Sequence, residues 1–275
     1  MKIISLPDEL LPNQMSPVKV VDYRSSKNNE KQQIVLNQNT FSFLLEGKKE
    51  VIFDNSFLSI DSSQFLLMRS GHCLMTEKLS LSKQYQSILL FFSNEVLINF
   101  SKKIKLERTK TAIHKSVHSF AYDDFIKKYV SSLSALEKGS KKYTAALLEI
   151  KLEEILLYLL EWYGSDFITS LLSASSNATQ KFTHTVESNQ LNRLTLSELA
   201  FLCNMSVSTF KREFERHYSD SPMKWFQNKR LEHAHHLIHY THKKSSEVYL
   251  EAGYENLSSF LHAYKLKYGN TPRQH

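Results

Sequence analysis

Asn204-Met-Ser-Val-Ser-Thr-Phe-Lys-Arg-Glu-Phe-Glu-Arg-His-Tyr-Ser-Asp-Ser-Pro222 and, fifty residues on, Tyr254-Glu-Asn-Leu-Ser-Ser-Phe-Leu-His-Ala-Tyr-Lys-Leu-Lys-Tyr-Gly-Asn-Thr-Pro272 are two copies of one unit. Val207, Phe210 and Phe214 in the first match Leu257, Phe260 and Tyr264 in the second. Each set is spaced i, i+3, i+7, which predicts one buried stripe on a helix. Ser206 and Asn256 stand at matching N-cap positions, where a side-chain oxygen takes up a backbone N–H that the first turn leaves free. Ser221-Pro222 and Thr271-Pro272 close the copies, because proline cannot continue a helix. Ahead of the first copy, Thr195-Leu-Ser-Glu198 reads as a capping box opening a short helix over Leu196–Leu202, with Cys203-Asn204-Met205 as the turn. Ahead of the second, Glu247–Ala252 reads as the short helix and Gly253 as the turn. Ser221 and Pro222 start a longer helix carrying Trp225, Leu231, Ala234, Leu237 and Ile238, which joins the two helix-turn-helix units.

These residues resemble the DNA-binding domain of the AraC/XylS family of bacterial transcription regulators. The resemblance spans about residues 182–274 and is carried by Leu199-Ala200, Met205-Ser206, Phe210–Phe214, Ser221-Pro222, Arg230-Leu231 with Ala234 and Leu237, Ala252-Gly253-Tyr254, Ser258–Phe260 and Tyr268–Pro272. It implies that two recognition helices enter successive major grooves, about 34 Å apart on one face of B-DNA. With the apolar stripe buried, the first helix presents Ser208, Thr209, Lys211, Arg212 and Arg216. Arg212 is the candidate for a bidentate guanine contact. Lys211 and Arg216 suit phosphates, which position without specifying. The second helix presents Ser258, Ser259, Leu261, His262 and Lys265. Here the chain departs from the family, with His262 where arginine is common and Tyr249 where a small residue is usual. The first unit is therefore expected to dominate specificity and the second to supply affinity.

The 275-residue length admits two separate cores. A net charge of +7 fits a polyanionic partner, and most of the twelve histidines lie after residue 180. Cys73 and Cys203 are too isolated for a disulfide framework or a zinc site, which fits a reducing, cytoplasmic setting. The start, MKIISLPDELLPN, has no leader pattern, and no apolar run approaches membrane-spanning length.

Upstream, Phe41–Leu45, Val51–Phe53, Phe57–Ile60, Phe65–Met68 and Ile88–Phe92 are short apolar runs separated by the turn signals Glu46-Gly47, Asp54-Asn55-Ser56, Asp61-Ser62-Ser63 and Ser70-Gly71. That rhythm predicts an antiparallel sandwich or barrel. Helical periods follow over Val96–Ile104, Phe120–Leu136 and a third segment in which Ala145, Leu148, Leu152, Ile155, Leu159 and Trp162 form one stripe. Either the sheet and the preceding helix cover that stripe, or Leu148, Leu152, Ile155 and Leu159 make a homodimer seam, and both can hold together. The expected class is α+β. A cupin/jelly-roll-like sensor and dimerisation domain occupies 1–172 (β-rich 1–93, helical 94–172), a Ser-rich linker 173–181, and an all-α double helix-turn-helix domain 182–275.

His233, His235, His236, His239 and His242 crowd the joining helix, and His235/His239 are spaced to share a metal. No cysteine or carboxylate completes such a set, so a solvated or DNA-backbone-facing cluster is expected, with no metal and no cofactor. A metal-dependent cupin enzyme needs several histidines inside the barrel, whereas only His72 lies between residues 1 and 110. No phosphate-binding glycine loop or nucleophile elbow is present, so no catalytic residue is assigned. The remaining alternative is a cupin-like small-molecule binding protein or enzyme that binds DNA weakly.

The first domain resembles the jelly-roll-like sensor domains of the same family. Over Phe43–Gly47 and Leu66–Gly71 it is similar to those of activators of type III secretion genes. That likeness implies a partner protein as the input, whereas wider family precedent implies a small ligand in the barrel, and both stay open. The resemblance also implies double-stranded DNA and RNA polymerase as partners, a homodimer, and activation of transcription.

Overall fold

A computed structural model describes residues 2–12, 14, 16–54, 56–106, 115–137, 142–172, 178–241 and 243–272. The chain folds as two compact units, Met1–Lys181 and Phe182–His275.

The first unit carries strands β1 (Ile3–Leu6), β2 (Val18–Ser25), β3 (Asn29–Leu36), β4 (Asn39–Glu46), β5 (Lys48–Ile52), β6 (Phe57–Asp61), β7 (Gln64–Met68), β8 (Gly71–Lys78) and β9 (Tyr85–Phe92). Helix α1 (Asn94–Lys103), strand β10 (Val117–Ala121) and helices α2 (Asp124–Glu137), α3 (Thr144–Tyr163) and α4 (Asp166–Leu172) follow. The strands form two five-stranded sheets, ordered β1-β3-β8-β5-β6 and β10-β7-β4-β9-β2. The second sheet is buried on both faces. Phe41, Phe43, Phe65, Leu67, Ile88 and Leu90 meet the helices, while Leu44, Leu66, Met68, Leu89 and Phe91 meet the first sheet. Double burial explains why these strands read as unbroken apolar runs instead of alternating.

Two expectations need correction. Residues 117–121 are strand, not the start of a helix: β10 pairs antiparallel with β7, so hydrogen bonding to the open edge of the sheet prevails over local pattern. The stripe expected as a dimer seam is covered inside the unit. Leu148 is 3% exposed and Leu152, Ile155 and Leu159 are fully buried, packed in the core between the second sheet and α2. Its ends, Ala145 and Trp162, are exposed. The Tyr129 hydroxyl donates to the Lys151 carbonyl at 2.8 Å, tying α2 to α3.

Burial on the sheet edge holds His118 neutral, its imidazolium form disfavoured down to about pH 4, with Nε2 at 3.2 Å from Ser170 Oγ. A depressed histidine binds its proton more readily when unfolded, so its contribution is complete above the ordinary value of 6.5 and declines as pH falls toward 4. With allowance for its partial exposure, the first unit should lose about 1 kcal/mol from this residue between pH 7 and pH 5. Urea unfolding of the parent and of His118→Gln at both pH values checks this; equal losses in the two proteins would refute the assignment.

Helix α5 (Ala178–Ser188) begins inside the expected linker, whose residues 173–177 lie outside the described residues, and continues into the second unit from Phe182. Then come α6 (Leu196–Leu202), α7 (Val207–Tyr218), α8 (Pro222–Tyr240), α9 (Ser245–Glu251) and α10 (Leu257–Tyr268). Among the described residues no helix is long and apolar enough to cross a membrane.

Candidate DNA-binding surface

Each helix-turn-helix is built around its own core. Phe182, Val186, Leu199, Ala200, Phe210 and Phe214 pack with Phe226 of α8 in the first. Val248, Ala252, Phe260 and Tyr264 pack with Leu231 and Ala234 of α8 in the second. One long helix therefore contributes to both cores and sets the two recognition helices α7 and α10 relative to each other.

The local chemistry that places α7 is explicit. Thr195 Oγ1 accepts from the Glu198 N–H at 3.2 Å, and the Glu198 carboxylate accepts from the Thr195 N–H at 2.6 Å, which closes the capping box of α6. Asn204 then takes the left-handed conformation at φ 57°, and Ser206 Oγ accepts from the Thr209 N–H at 3.1 Å. In the second unit Asn256 Oδ1 does the same for Ser259 N–H at 2.8 Å. Its turn differs by one residue. The left-handed position is Gly253 at φ 86°, three residues before the N-cap, whereas Asn204 stands two before Ser206. A Cβ at Gly253 would also meet Arg230 Nε at 3.1 Å. Glycine is thus required there both by backbone conformation and by the close approach of α8.

Ser208, Lys211, Arg212 and Arg216 are exposed on α7, and Thr209 is half-buried. The Ser208 and Thr209 hydroxyls lie 2.9 and 2.8 Å from Ser206 Oγ, so they belong to the cap as well as to the outer face. Arg216 pairs with Glu213 at 2.5 Å. Lys211 and Arg212 have no ion-pair partner among the described residues, leaving both charges available to a phosphate or a base edge. Val207, read from its spacing as part of the buried stripe, is 38% exposed because the stripe begins only at Phe210. It adds an apolar group one turn before Lys211, a feature that spacing alone did not reveal.

On α10, Ser258, Ser259, His262 and Lys265 are exposed, whereas Leu261 is half-buried against the second core. Leu261 therefore has only part of its side chain for a thymine methyl. Lys267 Nζ donates to the Asn228 carbonyl at 2.9 Å and to Glu232 at 3.0 Å, fastening α10 to α8.

Two of the histidines of α8 are placed differently from expectation. His235 Nδ1 and His239 Nε2 lie 2.5 and 3.2 Å from the Tyr264 hydroxyl, and the His235 ring stacks on Tyr268 at 4.5 Å. A buried tyrosine hydroxyl needs polar partners, and these two imidazoles supply them, so they support the second core instead of lying on a solvated face. His236 is exposed beside Tyr240, its ring 4.9 Å from that of the tyrosine, as expected for a solvated position, and His242 lies outside the described residues. Among the described residues no group of three metal-ligating side chains converges.

Residues 39–171 match the family described as the ExsA N-terminal regulatory domain, and residues 199–275 match a helix-turn-helix domain family. The virulence regulon transcriptional activator VirF of Yersinia enterocolitica is 26% identical over 184 residues, covering 66% of this chain and 68% of that protein. The HTH-type transcriptional regulator ExsA of Pseudomonas aeruginosa is 24% identical over 234 residues, 83% of this chain and 82% of that one. Among solved structures, ToxT from Vibrio cholerae aligns over 94% of this chain and 97% of its own, at 14% identity and a TM-score of 0.41.

Proposed function

We propose that this chain, which belongs to the AraC/XylS family of bacterial transcription regulators, activates transcription by placing α7 and α10 in successive major grooves of a DNA site under the control of its first unit. The observation that carries this reading is the paired construction of the second unit: two capped recognition helices on two small cores joined by α8. Arg212 reads a guanine, and Lys211 with Lys265 holds phosphates. Arg216 reaches a phosphate by exchanging its ion pair with Glu213. Ser208, Thr209, Ser258 and Ser259 approach the backbone through their hydroxyls, and His262 adds affinity with little sequence preference. Residues 182–275 are the DNA-binding domain and 1–172 the sensing and dimerising one. The reaction it serves is carried out by RNA polymerase in the cytoplasm, not by the chain.

Selection of the full chain against random duplexes at about 150 mM salt, with sequencing of the retained pool, tests the reading. The expected result is a motif of two blocks one helical turn apart. Retention without any motif would reduce the second unit to nonspecific basic binding.

Homodimerisation uses the outward face of α3. Leu147, Ile150 and Leu157 are 42, 61 and 49% exposed there and recur at steps of three and seven, a seam for a second helix once the inner stripe is committed to the core. Ile150→Glu with Leu157→Glu should convert a dimer to a monomer in sedimentation velocity while leaving the fold intact; a parent that sediments as a monomer at micromolar concentration would refute this assembly.

A further inference from the structure

Between the two sheets of the first unit lies a cavity of about 230 Å³, walled largely by Ile34, Leu36, Met68, Met75, Leu89 and Phe91. Three charged side chains line it, the exposed Glu9 and a buried pair. Lys49 on β5 and Glu77 on β8 are direct cross-strand partners, 1% and 4% exposed. Their facing atoms, Lys49 Nζ and Glu77 Oε1, stand 3.9 Å apart, beyond hydrogen-bonding distance. Each group also has a nearer partner. Lys49 Nζ donates to Ser42 Oγ at 2.8 Å, and Glu77 Oε2 accepts from the Tyr23 hydroxyl at 3.0 Å and from Asn29 Nδ2 at 3.1 Å.

An ammonium carries three donors, and buried charges are costly unless their hydrogen bonds are made. A single atom placed off the line between Nζ and Oε1 can reach both. That atom must accept from Lys49 and donate to Glu77, which a hydroxyl does. A carboxylate only accepts, and it would bring a second negative charge against Glu77, with Glu9 also on the cavity wall. An ammonium only donates, and it would be repelled by Lys49. Apart from Glu9, Tyr23, Gln32 and Thr40, the remaining wall is apolar and favours a hydrocarbon body.

We propose that this cavity binds a small uncharged amphiphile, an apolar body of about ten non-hydrogen atoms ending in a hydroxyl that bridges Lys49 Nζ and Glu77 Oε1. The size follows from scale, since a cavity of about 150 Å³ accepts benzene. Such a molecule is the input to the regulatory unit, a statement that rests on the function proposed above. Binding is measured without DNA, so its failure leaves the DNA-binding reading standing.

The test is titration calorimetry and thermal unfolding of the full chain with octan-1-ol and with sodium octanoate, each repeated on Leu36→Phe, which fills the cavity. Octan-1-ol should bind saturably and raise the unfolding temperature, octanoate should bind at least about tenfold more weakly, and Leu36→Phe should abolish the alcohol response. The double variant Lys49→Met/Glu77→Gln should lose the preference between the two ligands. If Leu36→Phe fails to fold, a crystal structure of the octan-1-ol complex decides. An unsaturable response, equal affinity for the carboxylate, or only an ordered water between Lys49 and Glu77 overturns the proposal.

Discussion

Phe214→Ala should destabilise the second unit by about 3–5 kcal/mol and abolish sequence-specific DNA binding while the first unit keeps its own unfolding transition. Phe214 is fully buried, and its ring lies 5.8 Å from Phe210, 4.6 Å from Tyr218, 5.6 Å from Trp225 and 5.7 Å from Phe226. It thus joins α7 to α8. A domain of this size has a total stability on the order of 5–15 kcal/mol, so a loss of this magnitude leaves α7 unanchored for much of the time. The second core does not contain Phe214, so residual helicity should persist around α10. Two-stage thermal unfolding followed by circular dichroism reads both effects. A loss below about 1 kcal/mol would mean that the first core is not the unit described here.

Arg212→Ala should cost about 1–3 kcal/mol of discrimination at one base position, roughly a 5- to 150-fold loss of preference, with little change in stability. The side chain is exposed and has no ion-pair partner among the described residues, so its removal breaks no such contact inside the protein. Lys211→Ala should instead weaken binding to all sequences alike and lower the salt slope by about 0.9. His262→Ala should reduce affinity and leave the selected motif unchanged. Selection with each variant separates these outcomes; equal loss of discrimination from Arg212→Ala and His262→Ala would remove the asymmetry between the two units.

Most of the second unit is legible in its residues alone. The repeat, both N-caps, the capping box and Gly253 are local signals, and each acts within a turn or two of the chain. The alignment by fifty residues nevertheless conceals that the second turn is one residue longer, because Asn204 and Gly253 do the same conformational work at different distances from their caps. Val207 is misplaced by its spacing for a related reason. Spacing identifies a stripe, but the neighbouring helices determine how far along it burial extends.

In the first unit β4, β7 and β9 of the second sheet stand out as apolar runs, whereas β8 and β10 do not. β8 carries Glu77 inward, and β10 has its edge partner about fifty residues earlier in the chain. The same limit applies to α3. Its two stripes are both apolar, and only the packed structure shows that Leu148, Leu152, Ile155 and Leu159 face the core while Ile150 and Leu157 face outward.

By itself, then, the sequence determined what is short-range in this protein: helices, caps, turns, the duplication, and the family to which these belong. The tertiary structure alone decided which of two apolar faces is covered, that His235 and His239 serve the Tyr264 hydroxyl, and that Lys49 and Glu77 meet across a cavity. Those outcomes depend on partners distant in sequence, whose contacts are selected by the burial free energy of the whole unit and leave no periodic trace in the residues themselves.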